Sequence, residues 1–354
     1  MRSMMGSWGA PPPAGLADRW AAMAAHPTML HAFQAAVDRR PDHLALRMIV
    51  AGGGTVERTY AQLGADVRRA AGGLLAMGLA RGDRIVLCAP SSIASISTYL
   101  AALALGILPI FVRAPRNADS VLAWDHVHDI ADRVRACAVG VQSFPEHVPS
   151  GRDYARVDQI AAGPALDGLG PLPRPDEAAH LRLTSGAAGD PRIAAVGHRQ
   201  VAAKLRAIGA AVGVRPQDHL YIWLPLDHDM GLIALSCALY WQRPITLTDP
   251  RTFAREPVHY WLRAMSQYRC TITAAPSSAY VACARLAARR SFDGLDLSPC
   301  RVAIWASEPV LPSAVELFVR AFGRYGYHTS STLPCERLAG GAPAGSLSPL
   351  FQAS

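Results

Sequence analysis

The sequence predicts an α/β protein built from two stacked, mainly parallel subdomains. Three observations carry that expectation. Short, continuously apolar segments such as "DRIVLCA" and "ILPIFV" read as strands buried on both faces. Such segments alternate with helical patterns through residues 80–330. At 354 residues, with 51% hydrophobic and 18% charged, the chain can bury a large core.

The elements follow in order. Residues 1–26 read as a flexible leader with no apolar stretch of signal-peptide length, and residues 27–341 as the folded unit. "TMLHAFQAAVDRRP" places Leu30, Phe33 and Val37 on one helical face and stops before Pro41. "HLALRMIV" and "VERTY" are strands joined through "AGGG". "YAQLGADVRRAAGGLLAMGL" is a helix ended by Gly78. "DRIVLCA", a helix over "SIASISTYLAALALG" and "ILPIFV" then give strand, helix, strand. Residues 140–180, rich in Pro, Gly and Asp, read as a connection across the surface. A second series begins with "HLRLTSGAAG" as a strand running into a loop, then a helix from Gln200 to Val212. Strands "HLYIWLPL", "PITLTD", "CTITAAP" and "CRVAIWAS" alternate with helices over "LIALSCALYW", "YWLRAMSQY", "AYVACARLAARR" and "SAVELFVRAFGRYG". Residues 342–354 are small and polar, a tail expected to be disordered.

Composition narrows the function. The formal charge is +8, from 35 basic and 27 acidic residues, without a basic run interleaved with aromatics. Nucleic-acid binding therefore has little support, and small anionic ligands suit the charge better. The cysteines (Cys88, Cys137, Cys237, Cys270, Cys283, Cys300, Cys335) are odd in number and never form C-x-x-C. That pattern argues against a disulfide framework or a zinc site, and for a reducing compartment. The longest apolar run, from Tyr99, is about 14 residues and contains Pro109, too short for a membrane span. The expected location is the cytoplasm.

Two stretches carry candidate chemistry. In "LRLTSGAAGDPR" hydroxyls and unobstructed backbone N–H groups form a loop able to hold phosphate oxygens, with Arg192 adding charge. The same residues also suit an ordinary turn. The loop is not G-x-x-x-x-G-K-[ST], and no G-x-S-x-G elbow occurs. In "WLPLDHDMGLI", Asp227, His228 and Asp229 stand together inside an apolar segment. Ionisable groups there need a bound ligand or internal partners, so the stretch is either a site or a polar turn between core elements. His219, His228 and Asp229 match no common metal spacing, and no metal ligands are assigned.

Taken as an ordered set, "RTYAQL", "GLARGDRIVL", "TSGAAGDPR", "WLPLDHDMGLI", "APSSAY", "LDLSPCRVAIWASEPV" and "LPCERLAG" span Pro27 to Gly341. This set resembles the N-terminal domain of adenylate-forming enzymes, in particular fatty-acyl-AMP ligases. The resemblance implies a large α/β domain that activates a fatty acid with ATP and magnesium to an acyl-adenylate, releasing pyrophosphate. The acyl group then passes typically to a carrier-protein thiol. It also implies roles for individual residues. His228 would be catalytic, where the acyl tunnel meets the nucleotide. Thr184, Ser185, Gly186, Gly189 and Arg192 would hold phosphate. Ser307, Glu308 and Pro309 would form one face of the adenine slot, with Leu333, Pro334 and Cys335 on the other. Asp229, Met230, Gly231, Ser277, Ser278 and Tyr280 would line the acyl side.

The chain departs from the family pattern where the chemistry is densest. Ala187 and Ala188 replace two hydroxyl residues of the phosphate loop, Arg192 its lysine and Ile193 the following glycine. Each lost charge-assisted hydrogen bond is worth about 1.5–3 kcal/mol. Glu336, Arg337 and Gly340 stand where the family has tyrosine, glycine and the magnesium-holding glutamate. The family's C-terminal domain, whose lysine neutralises charge at the α-phosphate, is expected to be absent. Three readings follow: a truncated ligase, completed by a partner polypeptide; a catalytically degenerate partner that binds an acyl chain or acyl-adenylate in a lipid or natural-product pathway; and new acyl-transfer chemistry with His228 as general base. The ligand in the first two is a small-molecule carboxylic acid or its adenylate.

Overall fold

The computed structural model describes residues 26–115, 124–144, 152–184, 192–248, 257–306 and 310–335. The expected leader and tail lie outside these residues, as do Ser185, Gly186, Gly189, Ser307, Glu308, Pro309, Glu336, Arg337 and Gly340.

Helix α1 (Met29–Arg39) starts at Thr28, whose hydroxyl accepts from the His31 N–H at 3.3 Å. It buries Met29, Leu30 and Phe33 on one side. Strands β1 (Leu44–Ile49) and β2 (Thr55–Thr59) pair antiparallel. Helix α2 (Tyr60–Ala76) opens with a capping box between Thr59 and Gln62. Strand β3 (Arg84–Cys88), helix α3 (Ile93–Leu105) and strand β4 (Leu108–Phe111) follow, β3 and β4 parallel. Helix α4 (Asp125–Arg133) leads to strand β5 (Ala138–Val141).

Two expectations are corrected here. Residues 140–180 are more than a surface connection. Strand β6 (Asp153–Arg156) pairs parallel with β5, and helix α5 (Val157–Ala161) returns against α2. That return is tight: a Cβ on Gly72 would sit 1.8 Å from the Pro164 carbonyl oxygen, and one on Gly73 2.1 Å from that of Ile160. A four-residue strand reading Asp, Tyr, Ala, Arg shows no alternation, so only its neighbour β5 marks it as sheet. The second correction concerns the glycine-rich loop. Strand β7 (Ala178–Thr184) is followed by β8 (Arg192–Gly197), antiparallel to it, before helix α6 (His198–Val212) begins. Strand β8 is absent from the expected elements, and the helix expected from Gln200 starts two residues earlier. "RIAAVG" is short and does not alternate apolar with polar residues, so periodicity does not reveal it.

The remaining elements alternate as expected: β9 (Leu220–Ile222), α7 (Asp229–Trp241), β10 (Ile245–Thr248), α8 (Pro257–Gln267), β11 (Ile272–Pro276), α9 (Ser277–Ala287), β12 (Val302–Ala306), α10 (Pro312–Phe322) and β13 (Thr332–Pro334). They build a seven-stranded sheet in the order β13-β12-β11-β9-β10-β1-β2, parallel except for β2. A four-stranded parallel sheet, β4-β3-β5-β6, makes the second subdomain, and β7 of the hairpin lies beside β4. One apolar cluster joins them, from Ile85 and Leu87 in the small sheet through the helices to Ile222 and Leu247 in the large one. Burial of that scale, at roughly 25 cal/mol per Å² of apolar surface, makes the two sheets one packed body.

Candidate ligand site

In the large sheet the parallel strands β9 to β13 end on the same edge, where ligands of open α/β sheets bind. The stretch from Trp223 to His228 leaves that edge after β9 and enters α7. Each ionisable residue of the turn has its own partner. Asp227 accepts from Arg113 Nε at 3.3 Å. His228 is the N-cap of α7, its Nδ1 accepting from the Met230 N–H at 3.2 Å. Asp229, in the first helical turn, takes both nitrogens of a bidentate pair from Arg182 on β7, Nε at 3.0 Å and Nη2. Met230 is buried at 3% exposure and belongs to the core. Gly231 is required by space: a Cβ there would lie 2.1 Å from the Pro225 carbonyl oxygen and 2.7 Å from that of Leu224. The polar run inside an apolar segment is therefore a turn with every charge paired.

That geometry still leaves His228 a chemical capacity. Because Nδ1 accepts, the neutral ring carries its proton on Nε2. Burial lowers the imidazole pKa, against the pull of Asp229 and Asp227, so the neutral donor form dominates near pH 7. His228 is half-buried at the sheet edge. His219 lies at the other end of β9, with Nε2 bonded to Thr246 Oγ1 at 2.9 Å. The two histidines cannot share an ion. Among the described residues no group of three or more His, Cys, Asp or Glu is placed to hold a metal.

Beside the turn lies a cavity of about 550 Å³, bounded by β4, the β7–β8 hairpin, α6 and α7. Its volume is in the range of small-molecule sites. Phe111, Leu183, Val201, Leu226, Leu232 and Ile233 make apolar wall, and Arg182, Lys204, Asp227 and Asp229 lie at its polar part. On the other side of α7 a void of only about 40 Å³ separates Met230, Ile233 and Cys237 from β9 and β11.

The remaining sequence candidates spread along the same edge. Thr184 ends β7 opposite Arg192 on β8, at the root of the hairpin. Leu333 and Pro334 lie in β13 beside Ile304 and Trp305 of β12, and the Cys335 N–H donates to the Trp305 carbonyl at 2.8 Å. Ser277 and Ser278, at the start of α9, line a separate, more open hollow of about 520 Å³ with Arg285, Arg289 and Leu311. Tyr280 is packed in the core: its ring stacks on Trp305 at 4.1 Å and its hydroxyl donates to the Ile304 carbonyl at 3.1 Å. The structure thus brings Asp229 and its neighbours to the large cavity and leaves Ser277, Ser278 and Tyr280 away from it. Arg113, Arg182 and Lys204 were not singled out by the sequence. The signal for Arg182 is a charge inside the apolar strand "HLRLT"; for Lys204 it is a charge on a helix that buries its neighbours Ala202 and Leu205.

Comparison with known proteins decides the family. The AMP-binding enzyme family matches residues 33–329. The chain belongs to that family. Among curated relatives, the long-chain-fatty-acid–AMP ligase FadD23 of Mycobacterium tuberculosis is 28% identical over 304 residues, 80% of this chain and 50% of that protein. A medium-chain-fatty-acid–[acyl-carrier-protein] ligase, TtuA of Teredinibacter turnerae, is 29% identical over 170 residues, 48% of this chain and 26% of its own length. A solved chain among the fatty acyl-adenylate ligases of E. coli and L. pneumophila superposes with TM-score 0.77 at 26% identity, covering 88% of this chain and 58% of that one. A fatty acid AMP ligase from Legionella pneumophila gives TM-score 0.75 at 21% identity, with 89% and 55% covered. The AMP-binding chain spans about half the length of FadD23. No helix among the described residues is long and apolar enough to cross a membrane.

Proposed function

We propose that this AMP-binding chain takes a fatty or related carboxylic acid and its acyl-adenylate at the strand-end edge of the large sheet, as the acid-recognising part of an acyl-AMP ligase system. The carrying observation is the 550 Å³ cavity directly against the Leu226–Asp229 turn, in a chain of the AMP-binding family. Apolar walls suit an aliphatic tail, and His228 Nε2–H, on the same turn, is a donor for a carboxylate or acyl-phosphate oxygen. Thr184, the Ser185–Gly189 loop and Arg192 are the proposed phosphate side, and residues 307–309 with Leu333–Cys335 the adenine side. An acyl carrier protein is the proposed acceptor, in keeping with the name of the relative TtuA. Acid activation then needs cationic charge at the α-phosphate.

One observation favours a non-catalytic variant of this reading. Ala187 and Ala188 remove two phosphate donors from the loop. A triphosphate loses more by this than a monophosphate, because its extra charge is desolvated with fewer donors to meet it. AMP or a non-hydrolysable acyl-adenylate analogue is therefore expected to bind at least as tightly as ATP with magnesium. Isothermal titration of each ligand, with and without magnesium, measures this, and pyrophosphate exchange with a medium-chain acid reads catalysis. Tight magnesium-dependent ATP binding with acid-dependent exchange would mark the chain as a competent ligase and reject the non-catalytic variant. If no acid and no adenylate binds, the acid-site reading is wrong.

A further inference from the structure

The apolar wall of the 550 Å³ cavity is interrupted by polar side chains, and most of them have partners already. Arg182 holds Asp229, and Arg113 holds Asp227. The Gly197 N–H donates to Gln200 Oε1 at 2.9 Å, and Lys204 Nζ is sealed within the protein. Away from the turn, Ser236 on α7 and His180 on β7 also line the wall. Tyr99 of α3 joins them. Its buried hydroxyl lies 3.3 Å from His180 Nδ1 and also meets Ser236, whose Oγ donates to the Leu232 carbonyl at 2.8 Å.

One atom of this group is unpaired. His180 Nε2 has no hydrogen bond among the described residues, and it is not sealed off as His198 Nε2 is. The ring is half-buried, and burial first, then His198 and Arg182, pushes its pKa down to about 4. At neutral pH it is therefore an uncharged ring with one N–H and one bare nitrogen. Tyr99 engages Nδ1, and Nε2 is left toward the cavity. A methylene chain passing this nitrogen removes water from it and offers no partner in return. A hydroxyl both donates and accepts, so it completes the site in either tautomer.

We infer that the cavity takes a medium-chain acid carrying a hydroxyl at its far end, where that hydroxyl bonds His180 and Tyr99 orients the ring. This rests on reading the cavity as the acid site, with the carboxylate beside the His228 turn. Length supports the assignment. From Asp229 to Ser236 α7 rises about 10 Å, and from Thr184 to His180 β7 extends about 13 Å. An extended chain spans about 1.2 Å per bond, so about ten carbons cover either distance. Phe111, Leu232 and Ile233 supply apolar wall for the carbons between. His180 is thus a specificity-determining residue, and Tyr99 a positioning one.

Two acids of nearly equal size test this: ω-hydroxydecanoate and undecanoate, which differ by a hydroxyl in place of a methyl group. A purely apolar cavity favours undecanoate, because the hydroxyl is desolvated without a partner. By isothermal titration the wild type is expected to bind ω-hydroxydecanoate at least tenfold more tightly. His180→Phe should reverse the order. Tyr99→Phe, which leaves the imidazole in place without its partner, should lose part of the preference. Because the order is read first on the wild-type protein, the outcome does not depend on a variant folding. If both acids bind the wild type and ω-hydroxydecanoate is not preferred, the inference fails while the acid-site reading stands. A preference for the hydroxyl that survives His180→Phe unchanged also overturns it. If neither acid binds the wild type, both fail.

Discussion

Helix α7 has two sides that differ in how the chain has filled them. Toward β9 and β11, Met230, Ile233, Cys237 and Trp241 leave a void of about 40 Å³, room for little more than a water. Toward α6 and the hairpin, Asp229, Leu232, Ile233 and Ser236 face about 550 Å³. One helix, apolar along most of its length, thus serves as packed core on one side and as the wall of a ligand-sized space on the other. A packed interior does not leave a space of that size without use, because every wall atom there forgoes dispersion contacts. The difference separates residues that hold the fold from residues free to serve a ligand.

The largest expected effect breaks the closed side at its start. Gly231→Ala puts a methyl group into the Pro225 and Leu224 carbonyls, and relief requires the whole turn to move. A loss of about 3 kcal/mol is expected in urea denaturation. A variant within 1 kcal/mol of wild type would show the close approach to be loose.

The open side responds to acid. In the folded chain His180 titrates near 4, and in the unfolded chain near 6.5, because burial disfavours the imidazolium. Unfolding therefore takes up a proton between these values. The stabilisation is complete above pH 6.5 and is lost as pH falls toward 4, about 3 kcal/mol at the low end. His198 and His219 carry the same shift, to about 4, again from burial first. Urea midpoints at pH 7.5, 5.5 and 4.5 should fall steeply for wild type and less so for His180→Gln. Parallel curves for the two proteins would remove His180 from the account.

Smaller again is the link between the two sides. Arg182→Met leaves Asp229 half-covered without its bidentate partner, a change worth about 2 kcal/mol. It should be most visible at low salt, since the carboxylate retains some contact with solvent. No change in melting temperature would mean that solvent replaces the arginine.

The smallest effect on stability sharpens the comparison most. Ser236→Leu adds volume toward the large cavity, and Cys237→Leu adds it toward the 40 Å³ void, one residue apart on the same helix. The first is expected to change stability by less than about 1 kcal/mol while reducing decanoate binding. The second should cost about 1–3 kcal/mol by overpacking. Equal costs by thermal melting would mean that both sides are core.

Much of this was readable in the residues. Buried parallel strands announce themselves as short apolar runs, and the helix faces of α1, α2 and α6 follow from spacing. Strand β8 and strand β6 were not readable, because neither the six residues of "RIAAVG" nor the four of "DYAR" alternate in character; partners across the sheet make them strands. The role of Tyr280 was not readable either. An aromatic beside two serines suits a pocket wall or a core equally, and the stack on Trp305 settles where it lies.

The sequence by itself determined the alternation of strands and helices, the kinship carried by its ordered motifs, and the need of "DHD" for either a ligand or internal partners. These are properties of spacing and of residue type, and they survive without coordinates. Tertiary structure decided which partners: Arg113, Arg182 and the N-terminus of α7 reach Asp227, Asp229 and His228 from 114 residues away, 47 residues away, and the adjoining turn. It also decided that Lys204 lines a cavity. Which charges meet, and where space is left unfilled, depends on contacts between segments distant in the chain, and no local pattern encodes a distance.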